Sequence, residues 1–87
     1  MPGIIESKLK SLGLELPAAN PPAASYVPYT ISGNQVFVSG QLPMKDGKPT
    51  GIGKLGENIS LEEGQATAKQ CGLNILAHLR AACGGDL

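Results

Sequence analysis

The stretch Tyr26–Pro43 reads YVPYTISGNQVFVSGQLP and decides the fold of this 87-residue chain more than any other segment. Two runs that are rich in β-branched and aromatic residues, Tyr26–Ser32 and Gln35–Ser39, flank the dipeptide Gly33–Asn34. A Gly-Asn pair between two such runs is a signal for a two-residue β-hairpin. The sequence therefore predicts an antiparallel hairpin whose second strand ends at Gly40.

A long helix is predicted after the hairpin. Ser60 and Glu63 have the spacing of a capping box, and Gly84–Gly85 is a stop signal. Before this helix, Thr50–Leu55 has a weak strand tendency and would add a third strand. An apolar stripe along the helix is expected to pack on the sheet, and its members are Ala68, Cys71, Gly72, Ile75, Leu79 and Ala82.

The N-terminal part is predicted to hold a short amphipathic helix, Ile4–Leu12, and a proline-rich connector. Three strands covered on one face by a helix make an α+β unit. Such a unit leaves sheet edges unpaired and apolar surface exposed, which is typical of half a domain. We therefore divide the chain into residues 1–24, the helix and linker, and residues 25–87, the first half of a larger domain.

Charge and composition exclude several classes of protein. Seven Lys and Arg residues balance seven Asp and Glu residues, so the net charge is zero. This balance argues against a nucleic-acid binder, which needs clustered positive charge, and favours self-association. The chain has no apolar run that could span a membrane and no secretory signal pattern, and two cysteines are too few for a disulfide scaffold. We expect a cytoplasmic protein with no membrane or nucleic-acid partner.

Two sequence patterns could indicate a cofactor or a metal, but each fits a structural role better. Gly51–Gly56 fits the dinucleotide motif G-x-G-x-x-G, but the helix begins too late to meet a pyrophosphate, which favours a loop or a bulged strand. Cys71, His78 and Cys83 are spaced by seven and five residues along one helix, which is not a ligand spacing. We expect no metal and no organic cofactor.

The segment Ser39–Gly40–Gln41 is the most promising chemical feature. A serine at the last residue of a strand, followed by glycine, places a hydroxyl beside an unhindered backbone N–H. This pair can bind a carboxylate or a developing oxyanion. A purely structural role remains open, because strands often end in Ser-Gly. A nucleophilic serine is not expected, because the sequence has no G-x-S-x-G motif.

These residues resemble the RidA (YjgF-type, L-PSP endoribonuclease-like) family, in particular the N-terminal half of a longer subgroup. In that family a tyrosine begins the first strand, a "GN" hairpin follows and "SGQ-[IL]-P" closes the second strand, as in Tyr26–Pro43. The predicted helix, with Gln65, Asn74–Leu76 and Gly84–Gly85, matches the family pattern "Q…N-[ILV]…L…G". The resemblance covers nearly the whole chain.

The resemblance implies a fold, an assembly and a reaction. Members of the family have a chorismate-mutase-like (Bacillus type) β-sheet with helices on one face and form homotrimers, and many of them hydrolyse enamines and imines to 2-oxo acids and ammonia. By position, Tyr26 matches the active-site tyrosine and Ser39 the serine that binds the substrate carboxylate. Gly40 would contribute its backbone, and Gln41 completes the substrate-binding segment. The expected ligand is a small imine or enamine that carries a carboxylate.

One departure from the family pattern keeps alternatives open. The family's carboxylate-binding arginine and its water-orienting glutamate lie in the second half of the fold, and Arg80 does not match that arginine. The deaminase site is therefore expected to be incomplete unless a second chain supplies the missing half. The first alternative is a non-catalytic, small-molecule-binding or regulatory trimer. The second is an endoribonuclease or translation inhibitor, which the zero net charge opposes.

Overall fold

The computed structural model describes residues 3–19 and 27–87. Within these ranges the antiparallel strands and two helices confirm the α+β fold class. The predicted boundary between residues 24 and 25 lies outside the described residues. In chain order the elements are α1 (Ile4–Ser11), β1 (Tyr29–Ser32), β2 (Gln35–Val38), β3 (Met44–Lys45), β4 (Lys48–Pro49) and α2 (Leu61–Ala82).

The first hairpin forms around Gly33–Asn34 as predicted, but its strands, Tyr29–Ser32 and Gln35–Val38, are shorter than the predicted Tyr26–Ser32 and Gln35–Ser39. Strands β1 and β2 are antiparallel, with Tyr29 opposite Val38, and Gly33 in the turn has a φ of 61°. Directly paired residues share a face of the hairpin. Tyr29 and Val38 are half-buried on the face that packs against α2, whereas Phe37, on the other face, is 57% exposed.

The predicted third strand is wrong. Thr50–Leu55 contains no strand, and Leu55 makes only an isolated bridge with Ile59. The chain instead turns at Asp46–Gly47, with φ of 53° and 80°, so that β3 and β4 form a second, separate hairpin. Gly51 and Gly53 also have positive φ values of 61° and 144°, which are incompatible with a continuous extended strand.

Helix α2 begins and ends as predicted. The Glu63 amide donates to the Ser60 Oγ at 3.1 Å, and the Ser60 amide donates to the Glu63 Oε1 at 3.3 Å, which completes the capping box. After Cys83 the chain enters positive φ at Gly84 and Gly85, and the Gly85 amide donates to the Arg80 carbonyl at 2.8 Å. These contacts satisfy backbone groups that a helix end would otherwise leave unpaired.

The buried face of α2 differs from the predicted apolar stripe. Asn74, Ala77 and His78 are only 2–3% exposed, while Ile75 is 37% exposed and Ala68 is also exposed. The buried face is shifted from the expected one because the Asn74 side chain donates hydrogen bonds to the carbonyls of Leu42 and Met44. Apolar periodicity could not reveal this, since it scores a buried asparagine as surface.

Helix α1 is hydrogen-bonded to the residues that follow α2. The Gly3 amide donates to the Asp86 Oδ1, and the Leu87 amide donates to the Glu6 Oε1, both at 2.7 Å. In α1 Ile5 is 43% exposed and Glu6 is half-buried, so polar contacts contribute to this docking.

The described part of the chain has very little apolar core. Its fully buried apolar residues are Ile59 and Ala77. A monomer rarely exposes so many large apolar side chains, and such a surface is typical of a protein that packs against another polypeptide. The exposed ones are Ile4, Ile5, Leu12, Val27, Ile31, Phe37, Leu42, Ile52, Leu55, Leu61 and Ile75. Neither α1 nor α2 is long and apolar enough to cross a membrane, and these are the helices of the described residues.

Candidate functional site

Ser39 lies directly after β2 and is held by two hydrogen bonds to the chain before β1. Its amide donates to the Pro28 carbonyl at 2.9 Å, and its Oγ donates to the Val27 carbonyl at 2.6 Å. The hydroxyl is therefore fixed in place with its lone pairs available. It can accept a hydrogen bond from a ligand as it stands, but it must release Val27 to donate one to a carboxylate.

Gly40 and Gln41 extend the site along the backbone. The Gln41 Nε2 donates to the Ser39 carbonyl at 3.0 Å, so this side chain is engaged within the segment. No hydrogen bond between described residues uses the amide of Gly40 or of Gln41. Gly40 is exposed, and a Cβ built on it would meet no atom within 4 Å. Within the described residues these two N–H groups remain free to donate, next to Ser39 in the chain, and donors of this kind suit a carboxylate.

The structure describes three of the four predicted site residues. Ser39, Gly40 and Gln41 lie together after the end of β2, where Gly40 is exposed and the other two are half-buried. Tyr26, the predicted catalytic residue, lies outside the described residues. A cavity of about 260 Å³ is lined by Pro43 together with Gly51, Leu55, Thr67 and Cys71, and its lining does not include Ser39, Gly40 or Gln41.

Sequence reasoning missed Asn74 as a residue of this site. Its side chain lies on α2, yet it bonds to the carbonyls of Leu42 and Met44, directly after the Ser39–Gln41 segment. The available signal was an asparagine in the middle of the apolar sequence Leu73–Ala77. A polar residue at such a position either packs poorly or forms specific hydrogen bonds in the interior.

The other chemistry-bearing side chains do not form a second centre. No group of three or more His, Cys, Asp and Glu residues in the described ranges could hold a metal. His78 is 2% exposed and packs near Tyr29, with ring centroids 6.5 Å apart. Its Nδ1 is buried and has no hydrogen-bond partner among the described residues. The Arg80 guanidinium donates to the Pro17 carbonyl at 3.4 Å.

Two glycines of the G-x-G-x-x-G pattern, Gly51 and Gly53, have a packing role. A Cβ on Gly51 would overlap the Thr67 side chain, and a Cβ on Gly53 would lie 2.8 Å from the Asn58 Cβ. Helix α2 begins only at Leu61, so its first amides are separated from these glycines by the loop. Gly51 allows the loop to approach α2 closely, Gly53 allows it to pack on its own residues 58–59, and this arrangement is not a phosphate-binding turn.

The chain is similar to proteins of one family over most of its length. Residues 6–87 match the family model described as "YjgF/chorismate_mutase-like, putative endoribonuclease". A curated relative, Protein TCP17 of Trypanosoma cruzi, is 44% identical over 82 residues, which are 94% of this chain and 51% of that protein.

Two solved structures share both the fold and the sequence. The protein Atu1372 of Agrobacterium tumefaciens, described as of unknown function, superposes with a TM-score of 0.82 at 49% identity, over 95% of this chain and 50% of that one. A "putative endoribonuclease" from Shewanella oneidensis superposes with a TM-score of 0.83 at 42% identity, over 91% of this chain and 52% of that one.

The matches cover nearly all of this chain but only part of each similar protein. The chain spans about half the length of the curated relative and of both solved structures. These neighbours also agree with the chorismate-mutase-like fold that the family resemblance implied. The chain therefore belongs to the YjgF/chorismate mutase-like family, and this membership supports a RidA-like or endoribonuclease-type role.

Proposed function

We propose that this chain forms the carboxylate-binding side of an enamine/imine deaminase, acting on small molecules such as 2-aminoacrylate and its tautomer 2-iminopropanoate. The observation that carries the proposal is that the amides of Gly40 and Gln41, which directly follow the Ser39 hydroxyl in the chain, donate to no other described residue. Both sides of this segment are fixed by hydrogen bonds, so the donors are arranged before a ligand arrives. Preorganised donors bind an anion at a lower entropic cost than mobile ones.

The reaction requires mainly orientation and charge stabilisation. Water adds to the C=N carbon of 2-iminopropanoate to give a carbinolamine, which loses ammonia to leave pyruvate. A carboxylate held by the Gly40 and Gln41 amides would fix the adjacent imine carbon relative to attacking water. Orientation of this kind can supply a large part of a rate enhancement without a metal or organic cofactor.

The remaining parts of the proposal rest on the family. Tyr26 would contact the substrate from the chain before β1. The assembly would be a homotrimer, which would cover part of the exposed apolar surface of the hairpin. A second polypeptide segment, in the same or another chain, would bring the arginine and glutamate that complete the site. The single arginine of this sequence, Arg80, donates to the Pro17 carbonyl and does not take the place of the family's arginine.

Two measurements test the proposal on the chain as it is. In the first, pyruvate is titrated into ¹⁵N-labelled protein and the amide resonances are followed. We expect the Gly40 and Gln41 resonances to shift, while Gly47, in the turn between β3 and β4, serves as an internal control. In the second, 2-iminopropanoate is generated in situ by an amino-acid oxidase, and its loss is compared with and without the chain.

The outcomes separate the candidate functions. Shifts at Gly40 and Gln41 with faster imine loss support a deaminase, and shifts without faster loss favour a binding or regulatory role. No shift at Gly40 and Gln41 contradicts the proposed carboxylate site. RNA binding with a steep salt dependence would favour an endoribonuclease-type role instead.

A further inference from the structure

Asn74 is the most deeply buried polar side chain that the mechanism above does not use. It is 2% exposed and lies in the middle of α2. Its Nδ2 donates to the carbonyls of Leu42 and Met44, each at 3.0 Å, and its Oδ1 accepts from the Gln70 Nε2 at 3.1 Å. Both amide protons face carbonyl oxygens, so the flipped amide would oppose oxygen to oxygen, and one orientation is fixed.

The two carbonyls belong to a short turn that immediately follows the candidate site. The Met44 amide donates to the Leu42 carbonyl at 2.8 Å, which closes a three-residue turn around Pro43. The Pro43 carbonyl accepts from the Thr50 amide at 3.0 Å and from the Thr50 Oγ1 at 2.7 Å. Three successive carbonyls therefore accept hydrogen bonds: those of Leu42 and Met44 from Asn74, and that of Pro43 from Thr50.

The position of this turn connects Asn74 to the site. On its N-terminal side, the segment Ser39–Gln41 is held by the hydrogen bonds of Ser39 to the chain before β1. On its C-terminal side, one residue, Leu42, separates Gln41 from the first Asn74 bond. The Asn74 amide is the contact that ties this side of the segment to the rigid helix.

We propose that Asn74 is a positioning residue, which fixes the backbone conformation of Ser39–Gln41 and so aims the Gly40 and Gln41 amides at a bound carboxylate. The link to a carboxylate rests on the function proposed above, whereas the fixing of the segment does not. An apolar residue of similar size would leave the Met44 carbonyl without a donor, so burial of an asparagine at this point has a specific use.

The test compares Asn74→Ala with Ser60→Ala in the full chain. Ser60→Ala removes the capping box of the same helix and weakens α2 at its first turn, without touching residues 39–44. The first readout is hydrogen exchange at the amides of Ser39, Met44 and Thr50, each of which is bonded within or beside the segment. We expect Asn74→Ala to speed exchange at these amides about tenfold more than Ser60→Ala does.

The second readout is the Kd for pyruvate, which we expect Asn74→Ala to raise about tenfold and Ser60→Ala to leave unchanged. Equal effects of the two variants on exchange would overturn the inference, since Asn74 would then only stabilise the helix. An unchanged Kd despite lost protection would overturn it too. If the wild-type chain binds no pyruvate, the proposed function fails, and the exchange readout alone decides whether Asn74 fixes the segment.

A further variant keeps the test decisive if Asn74→Ala does not fold. Thr50→Val removes the hydroxyl bond to the Pro43 carbonyl and preserves the size of the side chain. It loosens the same turn from the opposite side. Faster exchange at Met44 with a weaker pyruvate affinity would support the inference, whereas an unaffected segment would show that the turn does not control the site.

Discussion

The Oγ of Ser39 donates a 2.6 Å hydrogen bond to the carbonyl of Val27, across the open end of the first hairpin. This bond continues the pairing of β1 and β2 beyond Val38, the last residue of the strand. The serine therefore has a structural partner in the absence of any ligand, and its structural and ligand-binding roles can be separated by substitution.

Ser39→Ala is expected to lower the free energy of unfolding by about 1 kcal/mol, because one hydrogen bond to an exposed carbonyl is lost. Pyruvate affinity should fall at the same time. Urea denaturation followed by circular dichroism measures the first effect, and the amide titration measures the second. Ser32→Ala, at an exposed serine of the same hairpin, is the matched control and should change neither quantity. Loss of folding in Ser39→Ala would assign the serine to structure alone.

Gly51→Ala should destabilise the protein much more than Gly56→Ala. Both glycines have positive φ, 61° and 81°, so both variants incur backbone strain. At Gly51 the added methyl group would also overlap the side chain of Thr67, whereas at Gly56 it would meet no atom within 4 Å. We expect a difference of roughly 2 kcal/mol in the free energy of unfolding, as for other overpacked sites.

A double variant identifies the cause of that difference. Thr67→Ala removes the Oγ1 and Cγ2 atoms that the new methyl group would meet, so Gly51→Ala combined with Thr67→Ala should recover part of the lost stability. No recovery, or equal effects of Gly51→Ala and Gly56→Ala, would mean that close packing of the loop on α2 is not the reason for glycine at this position.

Local signals in the sequence were sufficient for the first hairpin and for α2. The Gly33–Asn34 turn and the Ser60 and Glu63 capping box depend on neighbouring residues only, so their geometry follows from spacing. The buried face of α2 was predicted wrongly because Asn74 is buried through bonds to carbonyls 32 and 30 positions before it in the chain. Periodicity measures hydrophobicity and contains no information on such distant partners.

The candidate site also has features that the sequence predicts and features that it does not. The juxtaposition of Ser39 and Gly40 follows from a strand end and was predictable from the sequence. Two properties were not: the bond of the Ser39 hydroxyl to Val27, and the attachment of the next turn to α2 by Asn74. Both depend on how the hairpin lies relative to other segments. The prediction of a third strand at Thr50–Leu55 failed for a related reason. The left-handed turn at Asp46–Gly47 forms a separate hairpin earlier in the chain.

Gly72→Ala is expected to stabilise this chain by up to about 1 kcal/mol. Gly72 lies inside α2, where glycine has a lower helix propensity than alanine, and an added Cβ would meet no atom within 4 Å. Thermal unfolding should move to higher temperature, and Ala68→Gly, at an exposed position one turn earlier, should move it in the opposite direction. A destabilised Gly72→Ala variant would indicate that another polypeptide packs closely against this face of α2.

Phe37→Glu should weaken self-association if the outer face of the first hairpin is an interface between copies of the chain. Phe37 is 57% exposed and points away from α2, its cross-strand neighbour Thr30 is also exposed, and the zero net charge provides no general repulsion. Sedimentation velocity over a range of concentrations should detect a species larger than 8.9 kDa for the wild type and a shift toward monomer for the variant. Gln65→Glu makes the same change of charge at an exposed position on α2 and should leave the distribution unchanged. If both variants associate like the wild type, the hairpin face is not the interface, and the homotrimer proposed for this chain would have to use another surface.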